Sequence, residues 1–339
     1  MAERRREIRL MAGGLLLAAG LTACDAGSAG DDGGEDGGED DHGVLYGVGD
    51  DHTLWRWEVG SDEVEAVFDL GGVWEREGDV GAVLRASLSV APDQRHASWI
   101  AGGGPNAELQ IGDLESGEIS GTVPYPVDHA CLDPVWAPEG KSLLVHRTEV
   151  WGAASQGDGM PGEVWGSTEW LSPEGDRLPS ENDLEDGCRL RWYEADGAVE
   201  GIYHDLGVSE LYRVDETGER FETISLDELG GVEPEVTGLV AVDPSGRYVC
   251  LADGYDEFGT YGGGFTIRPQ TGTKVIDLAS GETAGKQGAT CESLAAGGYL
   301  SRGDTEVELI DYQGESKWKT SLPPEIENSP NLFYFSATP

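Results

Sequence analysis

Short runs in which apolar and polar residues alternate recur along the whole chain, and this period predicts β-strands. Examples are Leu-Gln-Ile at 109–111, Leu-Tyr-Arg-Val at 211–214 and Val-Glu-Leu-Ile at 307–310. Each run is followed by an acidic phrase that contains glycine, at 113–118, 215–219 and 311–315. Glycine supplies positive φ in a tight turn, and Asp, Ser and Thr side chains bond the backbone of the turn. Each site is therefore predicted to be a β-hairpin.

The hairpin phrase is one half of a larger repeat. It occurs again as Asp-Leu-Ala-Ser-Gly-Glu at 277–282 and, more loosely, at 58–63 and 172–176. A second turn phrase precedes it at 91–94, 137–140, 194–197 and 243–246, as in Ala-Pro-Asp-Gln or Asp-Pro-Ser-Gly. The unit is strand a, first turn, strand b, connection, strand c, second turn, strand d. Four antiparallel strands repeated around an axis predict an all-β protein, a β-propeller.

Counting the units predicts six blades. Five complete units lie at about 83–123, 131–180, 187–226, 236–285 and 289–322. The first unit starts with strand b at 44–48 and has no strand a, whereas the C-terminal residues 332–339 read as a strand a without a blade. We therefore predict a six-bladed β-propeller of four-stranded antiparallel blades, closed by the C-terminal strand joining the first blade. Residues 43–339 number 297, or about 50 per blade, which suits propeller repeats.

The two turn phrases resemble the WD40-like repeat of TolB-type propellers, over about residues 43–339. Propellers of that type bind protein partners and peptides, so the resemblance implies a non-catalytic binding or scaffold module for a protein, a peptide or a glycan. The separate N-terminal domain of TolB has no counterpart in this sequence. The resemblance therefore implies the propeller alone and not a role in the Tol–Pal system.

Residues 1–23 are predicted to be a lipoprotein signal peptide. Arg4, Arg5 and Arg6 form a basic start, and 10–21 is an apolar run too short to remain as a membrane span. Leu-Thr-Ala-Cys at 21–24 resembles the lipobox of bacterial lipoproteins, which implies that Cys24 carries the lipid. The membrane is then a partner through that lipid. The expected location is the outer face of the cytoplasmic membrane, the cell surface of a Gram-positive host.

Residues 24–42 are predicted to be a disordered acidic tether, because 25–41 hold only Asp, Glu, Gly, Ala and Ser. The whole chain has 22 basic and 65 acidic residues and a formal net charge of −43. A charge of this sign repels nucleic acid phosphates, so no nucleic acid partner is expected.

Four cysteines remain besides Cys24, and an even number in an exported protein predicts two disulfides. Cys131 and Cys188 each lie seven residues before the first turn phrase of neighbouring blades. Cys250 lies in strand b of blade 5, and Cys291 lies in strand a of blade 6. We predict the pairs Cys131–Cys188 and Cys250–Cys291, the alternative being buried free thiols. Neither pair has the spacing of a zinc or redox motif.

No motif of a hydrolase, a metalloprotease or a phosphate loop is present, and no catalytic residue, metal or cofactor is predicted. Two other hypotheses stay open. One is a calcium-dependent hydrolase or lyase with carboxylates at the channel mouth, although no motif supports calcium. The other is a structural subunit of an envelope complex. Three or four carboxylates converging on one ion would favour the enzyme.

Two insertions between strands b and c, in blades 3 and 5, are the predicted ligand-binding site. They combine glycine with aromatic side chains in loops on a rigid scaffold, a composition common in recognition sites. The alternative is that the aromatic side chains pack onto their own blades. The predicted binding residues are Trp151, Trp165, Tyr255, Phe258, Tyr261, Phe265, Asp253, Asp256 and Glu257.

Overall fold

The computed structural model describes twelve stretches of the chain. They are 42–71, 87–101, 107–125, 134–151, 163–179, 190–195, 197–204, 209–230, 238–252, 256–260, 263–267 and 271–336. Residues 146–151, 163–167, 256–260 and 263–267 are described by their backbone. The signal peptide, the tether, Cys24, Cys131 and Cys188 lie outside the described residues.

The strands form seven antiparallel sheets, one for each of the six predicted blades and a two-stranded sheet in the insertion of blade 5. In blades 1 to 3 they are β1 Val44–Val48, β2 Thr53–Glu58, β3 Val64–Asp69, β4 Ser89–Val90, β5 His96–Ala101, β6 Glu108–Asp113, β7 Glu118–Pro124, β8 Val135–Trp136, β9 Leu143–Trp151 and β10 Glu163–Leu171. In blades 4 to 6 they are β11 Leu190–Ala195, β12 Ala198–His204, β13 Glu210–Asp215, β14 Arg220–Ser225, β15 Gly238–Val242, β16 Tyr248–Ala252, β17 Asp256–Thr260, β18 Gly263–Ile267, β19 Lys274–Asp277, β20 Glu282–Ala284, β21 Ser293–Ala295, β22 Gly298–Arg302, β23 Glu306–Asp311 and β24 Ser316–Ser321.

The last strand, β25 at Leu332–Phe335, closes the ring as predicted. It pairs with β1 and gives the sheet order β25-β1-β2-β3. The register places Val44 opposite Phe335 and Gly47 opposite Leu332. The six-bladed propeller closed by the C-terminal strand is therefore confirmed.

Blade 3 departs from the predicted four strands, because its described sheet has the order β10-β9-β8. The fourth position is reduced to a single bridge between Leu171 and Arg177. The amide of Leu178 still donates to the carbonyl of Trp170 at 2.8 Å. Pro179 follows at once, and a proline has no N–H with which to extend a ladder.

Both predicted b–c insertions contain β-hairpins. In blade 3, β9 and β10 run side by side for nine residues each and extend the second and third strands of the blade. In blade 5, β17 and β18 form a separate two-stranded sheet between the second strand, β16, and the third, β19.

The turns follow the predicted chemistry. The second-turn glycines Gly117, Gly218, Gly281 and Gly314 all have positive φ, between 71° and 90°. In the turn of blade 2, the carboxylate of Asp113 accepts from the amides of Glu115 and Ser116 at 2.9 and 2.8 Å. An aspartate at the same place in blades 4, 5 and 6 accepts from amides of its own turn in the same way.

The hydrophobic core lies between blades. Buried side chains from blades 1, 2 and 3 form one cluster, and four further clusters join blades 3 to 4, 4 to 5, 5 to 6 and 6 to 1. Every junction of the ring thus buries apolar side chains, which is how a propeller stabilises repeats that cannot fold alone. In the part of the chain that the structure describes, no helix is long and apolar enough to cross a membrane.

Candidate functional site

The propeller has two unlike ends. In every blade the second and third strands are joined at the end where the inner strand begins, and β9–β10 and β17–β18 both leave there. We call this end the hairpin face. The opposite end, the turn face, carries the first and second turns of the blades. Because the two hairpins belong to blades 3 and 5, they flank blade 4.

The structure places part of the predicted aromatic set on these hairpins. Trp151 in β9 lies opposite Glu163, and Trp165 in β10 lies opposite Glu149. In the second hairpin Phe258 lies directly opposite Phe265. Asp256 and Glu257 belong to β17, opposite Ile267 and Thr266. Asp253, Tyr255 and Tyr261 lie outside the described residues.

A cavity of about 530 Å³ runs along the axis and is lined by the innermost strand of every blade. This volume lies within the range of small-molecule sites, about 300–1,000 Å³. At the turn face the lining includes the prolines of three first turns, Pro92, Pro138 and Pro244. Aromatic residues at the wall are Trp136, Trp192, Phe333, Tyr334 and Phe335.

Arg191 in β11 is the only basic residue among the described residues that line this channel; Glu194 and Glu292 are the acidic ones. The side chain is buried. Its Nε donates to the carbonyl of Val240 at 2.9 Å, and its Nη2 donates to that of Leu239 at 3.4 Å. Val240 lies at a register shift in β15, which turns its carbonyl out of the ladder. The guanidinium therefore joins the inner strands of blades 4 and 5.

The carboxylates of the second turns stabilise those turns. The amide of Ser116 lowers the pKa of Asp113, and the hydroxyl of Thr217 lowers that of Asp215. The amide of Glu315 lowers the pKa of Asp311. Among the described residues, no group of three or more His, Cys, Asp or Glu side chains could hold a metal ion.

A disulfide joins Cys250 in β16 to Cys291, just before β21, with the Cα atoms 6.3 Å apart. It is one of the two predicted pairs and links blade 5 to blade 6. Gly272, which follows the β17–β18 hairpin, forms an isolated bridge with Cys291. Its amide donates to the carbonyl of Cys291 at 2.7 Å, and the amide of Cys291 donates back at 2.9 Å. Gly272 is therefore held beside the disulfide.

Sequence reasoning missed two of these residues. Arg191 lies in an alternating strand like many others, and a β-bulge in the facing strand leaves no mark in sequence. Gly272 stands among many glycines, 52 in the whole chain. Its need for a bare Cα becomes visible only when the two sulfur atoms are located.

No family model matches the chain, and no curated protein matches it. Solved structures do resemble it. TolB from Acinetobacter baumannii is 13% identical with a TM-score of 0.43; the match covers 86% of this chain and 65% of the TolB chain. A protein of unknown function from Bacteroides caccae is 11% identical with a TM-score of 0.43, covering 87% and 99%. The nidogen/laminin complex gives 10% identity and a TM-score of 0.41, covering 83% and 93%. The likeness is one of fold.

Proposed function

We propose that this protein is a lipid-anchored, extracytoplasmic β-propeller that binds a protein, peptide or glycan without catalysing a reaction on it. The observation that carries the proposal is the pair of hairpins that rises from one face on either side of blade 4. Loops and hairpins on a rigid scaffold are where recognition residues concentrate.

The ends of the described fold support this choice of face. The carbonyl of Gly43 accepts from the amide of Val59 at 3.0 Å, and that of His42 accepts from the hydroxyl of Tyr334 at 2.7 Å. Val59 begins the second turn of blade 1, so His42 lies at the turn face. Ser336, after β25, lines the turn-face end of the channel beside the first-turn prolines. The hairpin face is thus free of both ends of the described fold.

Charge selects the class of ligand. The second hairpin carries the acidic residues Asp256 and Glu257, and the whole chain has a net charge of −43. Aromatic residues dominate the energy of an interface, whereas charge acts mainly through encounter rate and exclusion of wrong partners. The ligand that fits is therefore uncharged or cationic.

Replacement of Trp165 and Phe258 by alanine tests the hairpin face. We expect each change to weaken the recovery of envelope partners in pull-down experiments at least tenfold, since a buried aromatic anchor contributes about 2 kcal/mol or more. The melting temperature should stay nearly unchanged, because each hairpin extends beyond its blade.

Phe221→Ala is the matched control. Phe221 is 53% exposed on β14, the outer strand of blade 4, away from the hairpin face, and its loss should leave pull-down unchanged. If Trp165→Ala or Phe258→Ala unfolds the protein, these aromatic side chains belong to the hydrophobic core and the proposed binding site is wrong. Equal loss of binding in the Phe221 variant would show that binding is not located on the hairpins.

The lipid anchor is tested at Cys24. Cys24→Ser should abolish incorporation of labelled palmitate, because the cysteine sulfur is the atom that carries diacylglycerol. The protein should then leave the membrane fraction while its folded body keeps the parental melting temperature. Palmitate labelling at the parental level in this variant would exclude a lipoprotein.

A further inference from the structure

Blade 2 buries polar atoms that have no hydrogen-bond partner among the residues that the structure describes. Ser98, in the middle of β5, is fully buried and its Oγ makes no hydrogen bond. The same holds for Trp99 Nε1 and for Ser87 Oγ, two residues before β4. Buried polar atoms in proteins are nearly always satisfied by protein or by ordered water. Ser98 is the one whose surroundings identify a ligand.

The direction of the Ser98 side chain follows from its neighbour. The Trp99 ring packs edge-on against Phe68 of blade 1, with the ring centroids 5.0 Å apart. Because successive side chains of a strand point to opposite faces, Ser98 faces blade 3. Ser89 of β4 is its direct partner in the antiparallel register. The two serine side chains therefore share a face, with their Cβ atoms about 5 Å apart.

This junction lies beside the channel. Ser89 lines the channel, and its carbonyl accepts from Nε1 of Trp136 in blade 3 at 3.4 Å. The inner strands here, β4 and β8, have two residues each, whereas β11, β15, β21 and β25 have three to six. Ser98 lies on the next strand outward, directly opposite Ser89, so a single strand separates it from the channel.

The chemistry of the two serines selects the ligand. A hydroxyl both donates and accepts, and two hydroxyls at this separation suit one bridging water. The carboxylate of Asp93, in the first turn of blade 2, already has a partner, since its Oδ1 accepts from the amide of Arg95 at 2.9 Å. We propose that a structural water, supplied from the channel, bridges Ser98 Oγ and Ser89 Oγ and joins blade 2 to blade 3.

The sign of the change in melting temperature on replacing Ser98 tests whether a water bonds its hydroxyl. Ser98→Ala and the nearly isosteric Ser98→Cys both remove the strong hydrogen-bonding group. If water satisfies the hydroxyl, each variant should lower the melting temperature by about 2–4 °C. Ser301→Ala calibrates the effect, since Ser301 is a buried serine in the second strand of blade 6 whose Oγ lies 3.3 Å from Thr290 Oγ1.

High-resolution diffraction supplies the second measurement and does not depend on variant folding. The parent should show solvent density within hydrogen-bond distance of Ser98 Oγ, about 2.5–3.0 Å. Ser98→Ala should lose that density. A melting temperature that stays the same or rises in both variants would overturn the proposal, and so would a parent crystal without this density. Neither result bears on the hairpin face.

Discussion

Deletion of residues 331–339 is expected to abolish cooperative unfolding and most of the soluble yield. The deletion removes β25, which forms the innermost strand of blade 1. Leu332 and Tyr334 are both buried between blades 6 and 1, and burying such a side chain contributes about 1.5–3 kcal/mol. Their joint loss is comparable with the whole stability of a typical domain, about 5–15 kcal/mol.

The loss extends beyond burial. Without β25, the backbone groups of β1 that face it, from Val44 to Gly47, have no ladder partner, and an unpaired edge promotes aggregation. The edge-on contact between the Tyr46 and Phe335 rings, with centroids 5.7 Å apart, disappears as well. Deletion of residues 337–339 is the matched control, since it leaves β25 complete. Circular dichroism during heating measures both variants. A sharp parental transition after deletion of 331–339 would show that the ring does not depend on this strand.

The closure was predictable from sequence because turns have strict backbone requirements. A glycine at positive φ and an aspartate that bonds its own turn recur in blades 2, 4, 5 and 6, for example as Gly117 with Asp113. These requirements hold whatever packs around the turn, so their spacing gives the number of blades. The first unit has no strand a, and the last strand has no blade of its own. The last strand must therefore complete the first blade.

The strand content of blade 3 and of the insertions was harder to predict. In blade 3, Pro179 stops the fourth strand after the Leu171–Arg177 bridge, and the repeat pattern gives no sign of this. The abundance of glycine from 259 to 264 suggested loops. Residues 256–260 and 263–267 nevertheless pair as a hairpin, with Gly259 opposite Gly264, because two glycines can face each other across a ladder.

Some features of the candidate site can likewise be predicted from sequence, and others cannot. The insertions and their shared face follow from strand order, which the repeat makes readable. The Cys250–Cys291 pair follows from their places in neighbouring blades. The position of Gly272 beside the disulfide does not follow from sequence, because it depends on how closely Gly272 approaches two sulfur atoms from distant parts of the chain.

Gly272→Ala is expected to destabilise the protein by about 3 kcal/mol or more, at the upper end of the cost of overpacking a core. A Cβ at this position would lie 2.1 Å from Cys250 Sγ, 2.8 Å from Cys291 Sγ and 2.9 Å from the carbonyl oxygen of Leu251. The two sulfurs are bonded to each other, and the Leu251 oxygen belongs to the backbone. None of these atoms is therefore the end of a flexible side chain. The added methyl must therefore separate Gly272 from Cys291 or distort the disulfide.

Gly303→Ala is the matched control, since its Cβ would meet nothing closer than 3.8 Å. A thermodynamic cycle identifies the cause: Gly272→Ala is measured in the parent and in a Cys250→Ala/Cys291→Ala background. Removing the sulfurs leaves room for the methyl, so the destabilisation caused by Gly272→Ala should fall by about half or more in this background. If the sites were independent, the free energies of the separate changes would add within about 0.5 kcal/mol. Equal costs in both backgrounds would show that the sulfurs are not the obstacle. A Gly272→Ala protein as stable as the parent would exclude the close approach itself.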